Sequence, residues 1–303
     1  MDCRGWTKPK QVLPLLWPMG MVWQLLKTLW KFMPTRSQLL TFLSAGLLLA
    51  AGGATSRAVS LQWGSEPWAP GSLSNSFDVD PSNPGNDVTV TAAGDIGQLQ
   101  PELVSPNPMT PSITSDLEGG FGPSNKSLCI ALDLANQSQG ITVTVDFSAQ
   151  YSQGVTNVSF TIFDVDFANS GGSNYQDQLS SITALSIDGT TLIAPTITTS
   201  VNNTLSGTGL NQVVNGIAST SDTGASSGNA NVTISFGANA IKSFTFTYGS
   251  GSGGGTIDPT YQHIGLGDIT FTPVPEMNPA WGALVSCFLA TALVLRHRGN
   301  FRK

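Results

Sequence analysis

The chain has 303 residues, a formal net charge of −6 and two histidines. Of its thirteen Lys and Arg, seven lie at or before Arg57 and four at or after Arg296, leaving Lys126 and Lys242 against eighteen acids in between, a formal charge of −16. Such a body repels phosphate backbones, which proteins bind through basic patches, and this excludes nucleic acid as a partner.

Residues 1–58 read as an export segment. Leu39 to Ala51 is an uncharged apolar run, preceded by Arg36 and followed by small residues up to Ala58. This is the n-region, h-region and cleavage pattern of a secretory signal. Ser56 and Ala58 favour cleavage after Ala58, with cleavage after Ala54 as the alternative. The segment ahead of the run is longer than an ordinary n-region; translation starting at Met33 would restore the usual length, with Arg36 as its charge. Residues 12–32 are apolar too, but Pro14, Pro18, Lys27 and Lys31 make them a poor bilayer helix.

Residues 59–273 form the body, long enough to bury a core without disulfides. Cys3 and Cys287 lie in the terminal segments, so Cys129 is alone in the body. Within an apolar run from Leu128 to Leu134 it reads as a small buried strand residue. Residues 59–84 and 100–125 are rich in Pro, Ser and Asn and read as extended loops. Alternating, β-branched or aromatic runs predict strands over Ile141 to Ala149, Val158 to Phe167, Leu179 to Ile187, Asn231 to Phe236, Ile241 to Tyr248 and His263 to Thr272. Asp188-Gly189 marks a hairpin turn. The glycine-rich stretch 249–255 reads as a flexible loop and lacks the Lys of a phosphate loop. The fold class is all-β: a single β-sandwich of jelly-roll type, with helices only in the signal and the tail.

Asp164 and Asp166 are the sharpest constellation. With a period of two, Val158, Phe160, Ile162, Asp164 and Asp166 share one face, which puts two carboxylates ~6.5–7 Å apart at the strand's end. Like charges that close need a cation or solvation, and calcium, with ~6–8 oxygen ligands, would serve. Asp268 and the pair Asp78 and Asp80 are candidates to join from neighbouring edges. The other reading is that these carboxylates solvate a loop rim. The Gly267-to-Phe271 ending resembles that of jelly-roll carbohydrate-binding modules, in many of which the first and last strands share a structural calcium. His263, alone in the body, reads as structural and argues against zinc. Trp63, Trp68, Tyr151, Tyr175 and Tyr261 are candidates for a sugar-stacking platform, or else for packing.

Residues 274–303 read as a sorting tail. Ala280 to Leu295 are apolar or small and are followed by Arg296, Arg298, Arg302 and Lys303. At ~1.5 Å per residue such a helix covers ~24 Å, marginal for a bilayer but aided by Trp281 and Arg296 at its ends. The basic end faces the cytoplasm and places the body outside, in agreement with the signal. With Val274, Pro275 and Glu276 ahead of that helix, the tail resembles that of PEP-CTERM proteins, although Met277 stands where a second Pro is usual. The resemblance implies an exosortase, an integral-membrane protease, as a processing partner. A plain C-terminal membrane anchor is the alternative.

The function expected is that of an exported cell-surface or matrix protein with a non-catalytic module, structural or adhesive. A calcium-dependent carbohydrate-binding module acting on exopolysaccharide is the alternative. A polysaccharide hydrolase ranks third: glycosidase carboxylates flank the scissile bond, whereas Asp164 and Asp166 lie on one strand. No Gly-x-Ser-x-Gly elbow or His metal motif occurs.

Overall fold

The computed structural model describes residues 56–122, 124–170, 173–217, 227–254 and 258–276, all within one compact unit, Ala54–Glu276. The predicted signal run 39–51 and tail helix 280–295 lie outside the described residues, as do Met33 and Met277. Among the described residues there are seventeen strands, four short 3-10 turns and no helix long and apolar enough to cross a membrane.

In chain order the strands are β1 (Val59–Leu61), β2 (Ser74–Phe77), β3 (Val88–Gly94), β4 (Ser112–Thr114), β5 (Ser127–Leu132), β6 (Gly140–Asp146), β7 (Val155–Phe163) and β8 (Phe167–Ser170). They continue with β9 (Ser173–Ser186), β10 (Leu192–Ile193), β11 (Thr196–Thr199), β12 (Asn203–Ser206) and β13 (Val213–Gly216). The last four are β14 (Val232–Gly237), β15 (Ile241–Ser250), β16 (Gln262–Leu266) and β17 (Ile269–Pro273).

The pairings are antiparallel and fall into two layers. One runs β2–β3–β6–β15–β9–β13–β12. The other runs β1–β17–β7–β14–β11, with β16, β5 and β4 continuing it at the far end of β7. The two layers join in the ladder where Ile241 pairs with Val155.

Alternation decides which side faces in. In β6, Ile141, Val143 and Val145 are buried while Thr142 and Thr144 are half-buried on the other face, the period of a strand with one wet side. Register carries the pattern across strands: Val90, Val145, Phe244 and Ala184 form one buried row. Thr91, Thr144, Thr245 and Thr183 form the adjacent outward row, in which the Thr183 and Thr245 hydroxyls meet at 3.4 Å. Between the layers, Phe160 stacks on Phe244 with ring centroids 4.5 Å apart, and Phe147 meets Phe271 at 4.9 Å. These rings fill the centre of a single core.

The predicted strands are present with shifted ends, and three expectations change. The Pro-rich stretches 59–84 and 100–125 hold the short strands β1, β2 and β4, because isolated apolar residues such as Leu61, Phe77 and Ile113 find a partner edge. The closing run 263–272 is two strands, β16 and β17, interrupted at Gly267-Asp268. The glycine-rich stretch begins inside β15, whose Gly249 and Ser250 still pair with Gln178 and Asp177. Asp188-Gly189 does turn the chain between β9 and β10: Gly189 has φ 73°, and Asp188 accepts from the Thr191 hydroxyl and from the Thr191 and Thr190 backbone N–H groups, which hold its carboxyl below the usual range.

Candidate functional site

The chemistry-bearing side chains concentrate where β7, β9, β15 and β16 end together. β7 stops at Phe163, and Asp164 takes a left-handed conformation, φ 64°. That kink destroys the period of two, so Phe163, Asp164, Val165 and Asp166 are all buried in succession. Asp164 and Asp166 therefore do not continue the alternation of β7, and each is held against a neighbouring strand instead.

Each then meets its own partner. Asp164 Oδ2 lies 3.0 Å from Nε2 of His263 on β16. The other ring nitrogen of His263 is 3.4 Å from the Tyr261 hydroxyl, which donates to the Pro101 carbonyl at 3.2 Å. The Asp166 backbone N–H donates to Asp177 Oδ2 at 3.0 Å, and the Asp177 N–H donates back to the Asp166 carbonyl at 2.9 Å. The Tyr248 hydroxyl of β15 donates to Asp177 Oδ1 at 2.7 Å.

Asp177, which sequence reasoning missed, is the centre of this group. It has no solvent-exposed surface. Burial, followed by the charge of Asp166, pushes its carboxyl well above the usual range, while the Tyr248 and Asp166 donors pull the other way. Burial and the nearby carboxylates likewise raise the Tyr248 and Tyr175 hydroxyls. Relative to an ordinary carboxyl, this favours the protonated form of Asp177. The signal was present in the sequence: Asp177 stands two residues before Leu179, so a strand begun two residues earlier places it on the inward face.

The other carboxylates proposed as metal ligands lie elsewhere. Asp78 and Asp80 belong to a second acidic group around Asp87, a buried carboxylate that accepts from the Val79 and Asp80 N–H groups at 2.9 and 2.8 Å. Burial raises Asp87 despite those donors, with the charge of Asp78 adding to it. Tyr151 shares this group and precedes β7, whereas Asp164 follows β7; nine extended residues separate those ends by about 30 Å. Asp268, between β16 and β17, accepts the Trp63 N–H at 2.9 Å. Because Gly265 pairs with Phe163 and Thr270 with Ser159, Asp268 lies alongside the middle of β7 rather than at Asp164. Among the described residues, no three His, Cys, Asp or Glu side chains are disposed to hold a metal ion.

Cys129 pairs across β5 and β16 with Gly265, and Ala131 with His263, so Cys129, His263 and Asp164 look at first like a nucleophile, a base and its orienter. The thiol argues otherwise. Cys129 is buried, and burial together with the charges of Glu102, Asp164 and Asp116 pushes its pKa well above the ordinary value. A reactive cysteine needs the opposite environment, electropositive and partly exposed.

Three of the aromatics proposed for stacking are corrected by their burial. Trp63, Trp68 and Phe77 pack edge and face against one another at 5.9–6.2 Å, and Trp63 Nε1 donates to the Gly267 carbonyl. Tyr151 lies against Phe271 in the core. Tyr175 and Tyr261 stay half-buried, near Asp166 and His263 respectively.

A surface aromatic appears where the sequence did not mark one. Phe121 is 65% exposed and leans on the buried Phe163 with centroids 5.8 Å apart. Beside these rings an open groove of about 250 Å³ runs over the outer face of β7 and β17, lined also by Asn125, Thr161, Asp268 and Thr270. Two glycines make room for the Phe163 ring that lines it. A Cβ at Gly267 would lie 2.7 Å from the Phe163 ring, and one at Gly119, φ +57°, would collide with the same ring. The Gly119 carbonyl accepts from Asn231 at 2.8 Å, the Glu118 carbonyl from the Phe121 N–H at 3.0 Å and from Asn125 at 3.3 Å.

No protein-family model matches the chain, and no curated protein matches it. A solved structure of CBM32-3, from a family 31 glycoside hydrolase of Clostridium perfringens, aligns over 59% of this chain and 92% of that one. The identity is 11% and the TM-score 0.24, a likeness too slight to carry a ligand or an activity.

Proposed function

We propose that the chain is an exported cell-surface or matrix protein whose β-sandwich is a non-catalytic module, structural or adhesive in role. One observation carries the non-catalytic part. The groups best suited to chemistry are committed to holding strands together: Asp164 to His263, Asp177 to Tyr248 and the Asp166 backbone, and Cys129 to a buried face. The export part rests on the sequence, in which a signal pattern precedes the body and an apolar, arginine-backed tail follows it. An exosortase-type protease is the processing partner proposed for that tail. Mass spectrometry of the protein recovered from cells tests this, because cleavage after Ala58 or Ala54 and loss of the tail leave a defined mass. Full-length uncut chain in the cytosol is the result that sinks it. An enzymatic assay on polysaccharides adds the second arm, and turnover abolished by Asp164→Asn would overturn the non-catalytic reading.

A second reading, binding of extracellular polysaccharide by the same module, is favoured by the groove beside Phe121. A jelly-roll arrangement of the sandwich belongs with that reading, as does calcium at Asp164 and Asp166.

A further inference from the structure

We propose that the groove between Phe121 and Asp268 is a binding subsite for a neutral sugar ring of an extracellular polysaccharide. This rests on the second reading above and gives it a location.

Phe121 is where the argument starts. Phe121, 65% open to water, is the one aromatic among the exposed large hydrophobic side chains of the described residues, and so offers the flat face that stacking needs. Its loop is nonetheless pinned: Asn231 and Asn125 donate to the carbonyls of Gly119 and Glu118, and the Phe121 N–H closes a turn onto Glu118. The ring is thus exposed and held in place, which removes much of the ordering cost of a partner that stacks on it.

The rest of the lining supplies what a sugar's edge needs. Asp268 spends Oδ1 on the Trp63 N–H, and no hydrogen bond to its other oxygen is found among the described residues. Thr161, Thr270 and Asn125 bring hydroxyls and an amide to the same groove. A pyranose has an apolar C–H face and a rim of hydroxyl donors and acceptors, matching one aromatic wall facing a carboxylate and hydroxyls.

Charge narrows the class. The lining carries one carboxylate and no cation, within a body of two cations and eighteen acids. Uronate-rich, sulfated or phosphorylated glycans would meet repulsion without compensation. The groove's modest size and openness fit one or two rings of a long chain rather than an enclosed small molecule.

Affinity electrophoresis of the full chain, in gels containing a panel of neutral α- and β-linked glucans, galactans and mannans, or a polyuronate, tests the proposal. Retardation by at least one neutral polysaccharide and none by the polyuronate is expected. Phe121→Ala is expected to weaken it by about tenfold, the worth of one ring-stacking contact. Being exposed, that change should leave the urea midpoint unmoved; Asn125→Ala, which removes a groove amide together with its bond to the Glu118 carbonyl, is a second variant expected to weaken binding. Retardation unaltered by both variants overturns this subsite while leaving polysaccharide binding standing. No retardation by any neutral glycan overturns the subsite and the binding reading together, without touching the export reading.

Discussion

Replacing Asp177 with Asn probes whether the buried carboxyl at the end of β9 holds a proton in the folded protein. Its raised pKa means that the native state keeps the proton at pH values where the unfolded chain, with an ordinary carboxyl near 3.9, has released it. Below that ordinary value both states are protonated and the site costs nothing. As pH rises above it, the native state binds more protons than the unfolded one, and stability falls by up to about 1.4 kcal/mol per pH unit until the native group ionises. Asn reproduces the neutral acid: its oxygen accepts the Asp166 N–H and its amide donates to the Tyr248 oxygen. The variant should therefore gain on the wild type steadily as pH rises from about 4. Urea unfolding followed by far-UV circular dichroism at unit pH steps gives the difference curve. Other carboxyls raised by burial, Asp87, Asp268 and Glu66, are common to both proteins and cancel in it. Parallel profiles from pH 4 to 8 would refute the reasoning, because they would mean that Asp177 is ionised and stabilised by something else.

Phe244→Ala removes a fully buried ring that meets Phe160, Phe147 and Phe236 across the two layers, and should cost about 3–5 kcal/mol in the same unfolding assay. His263→Ala leaves Asp164, 8% exposed, without its 3.0 Å partner; a loss of about 1–3 kcal/mol is expected, and a loss within error would show that the pair is idle. Tyr248→Phe deletes the donor to Asp177 and should destabilise by about 1–3 kcal/mol in the same unfolding assay. Calcium followed by EDTA should leave the thermal midpoint unchanged, since Asp164 already faces His263; a chelator-sensitive midpoint would instead support calcium at Asp164 and Asp166.

The fold was legible where periodicity was long, as in Ile141 to Val145 and Ile241 to Tyr248, because alternation there is enforced by a buried neighbour on each side. It was hidden where strands are three or four residues long and owe their existence to a distant partner, as β1 does to β17. The acidic site was half legible. Alternation picked out Asp164 and Asp166, but a single left-handed residue redirected both, and an aspartate, though enriched in that conformation, adopts it too seldom for the sequence to place the kink. Phe121 and Phe163 lie far apart in the chain and meet only because Gly119 and Gly267 leave room for the ring between them. That proximity is set by tertiary packing and has no sequence period to betray it.

The −16 body explains why its buried carboxylates look as they do. With only Lys126 and Lys242 available, an interior acid cannot be neutralised by the usual ion pair. Three substitutes appear instead. Asp177 is favoured to keep its proton, Asp87 accepts two backbone N–H groups, and Asp164 takes the body's one histidine. Each costs little only inside a tight local geometry, so each doubles as a clamp: β9 to β15, the β2–β3 connection to itself, and β7 to β16. Surface acidity and these internal clamps thus have the same origin, the near-absence of cations. Introducing a lysine to pair with Asp177 should consequently destabilise the domain, because the new charge must be buried beside a group whose neutral form the fold favours.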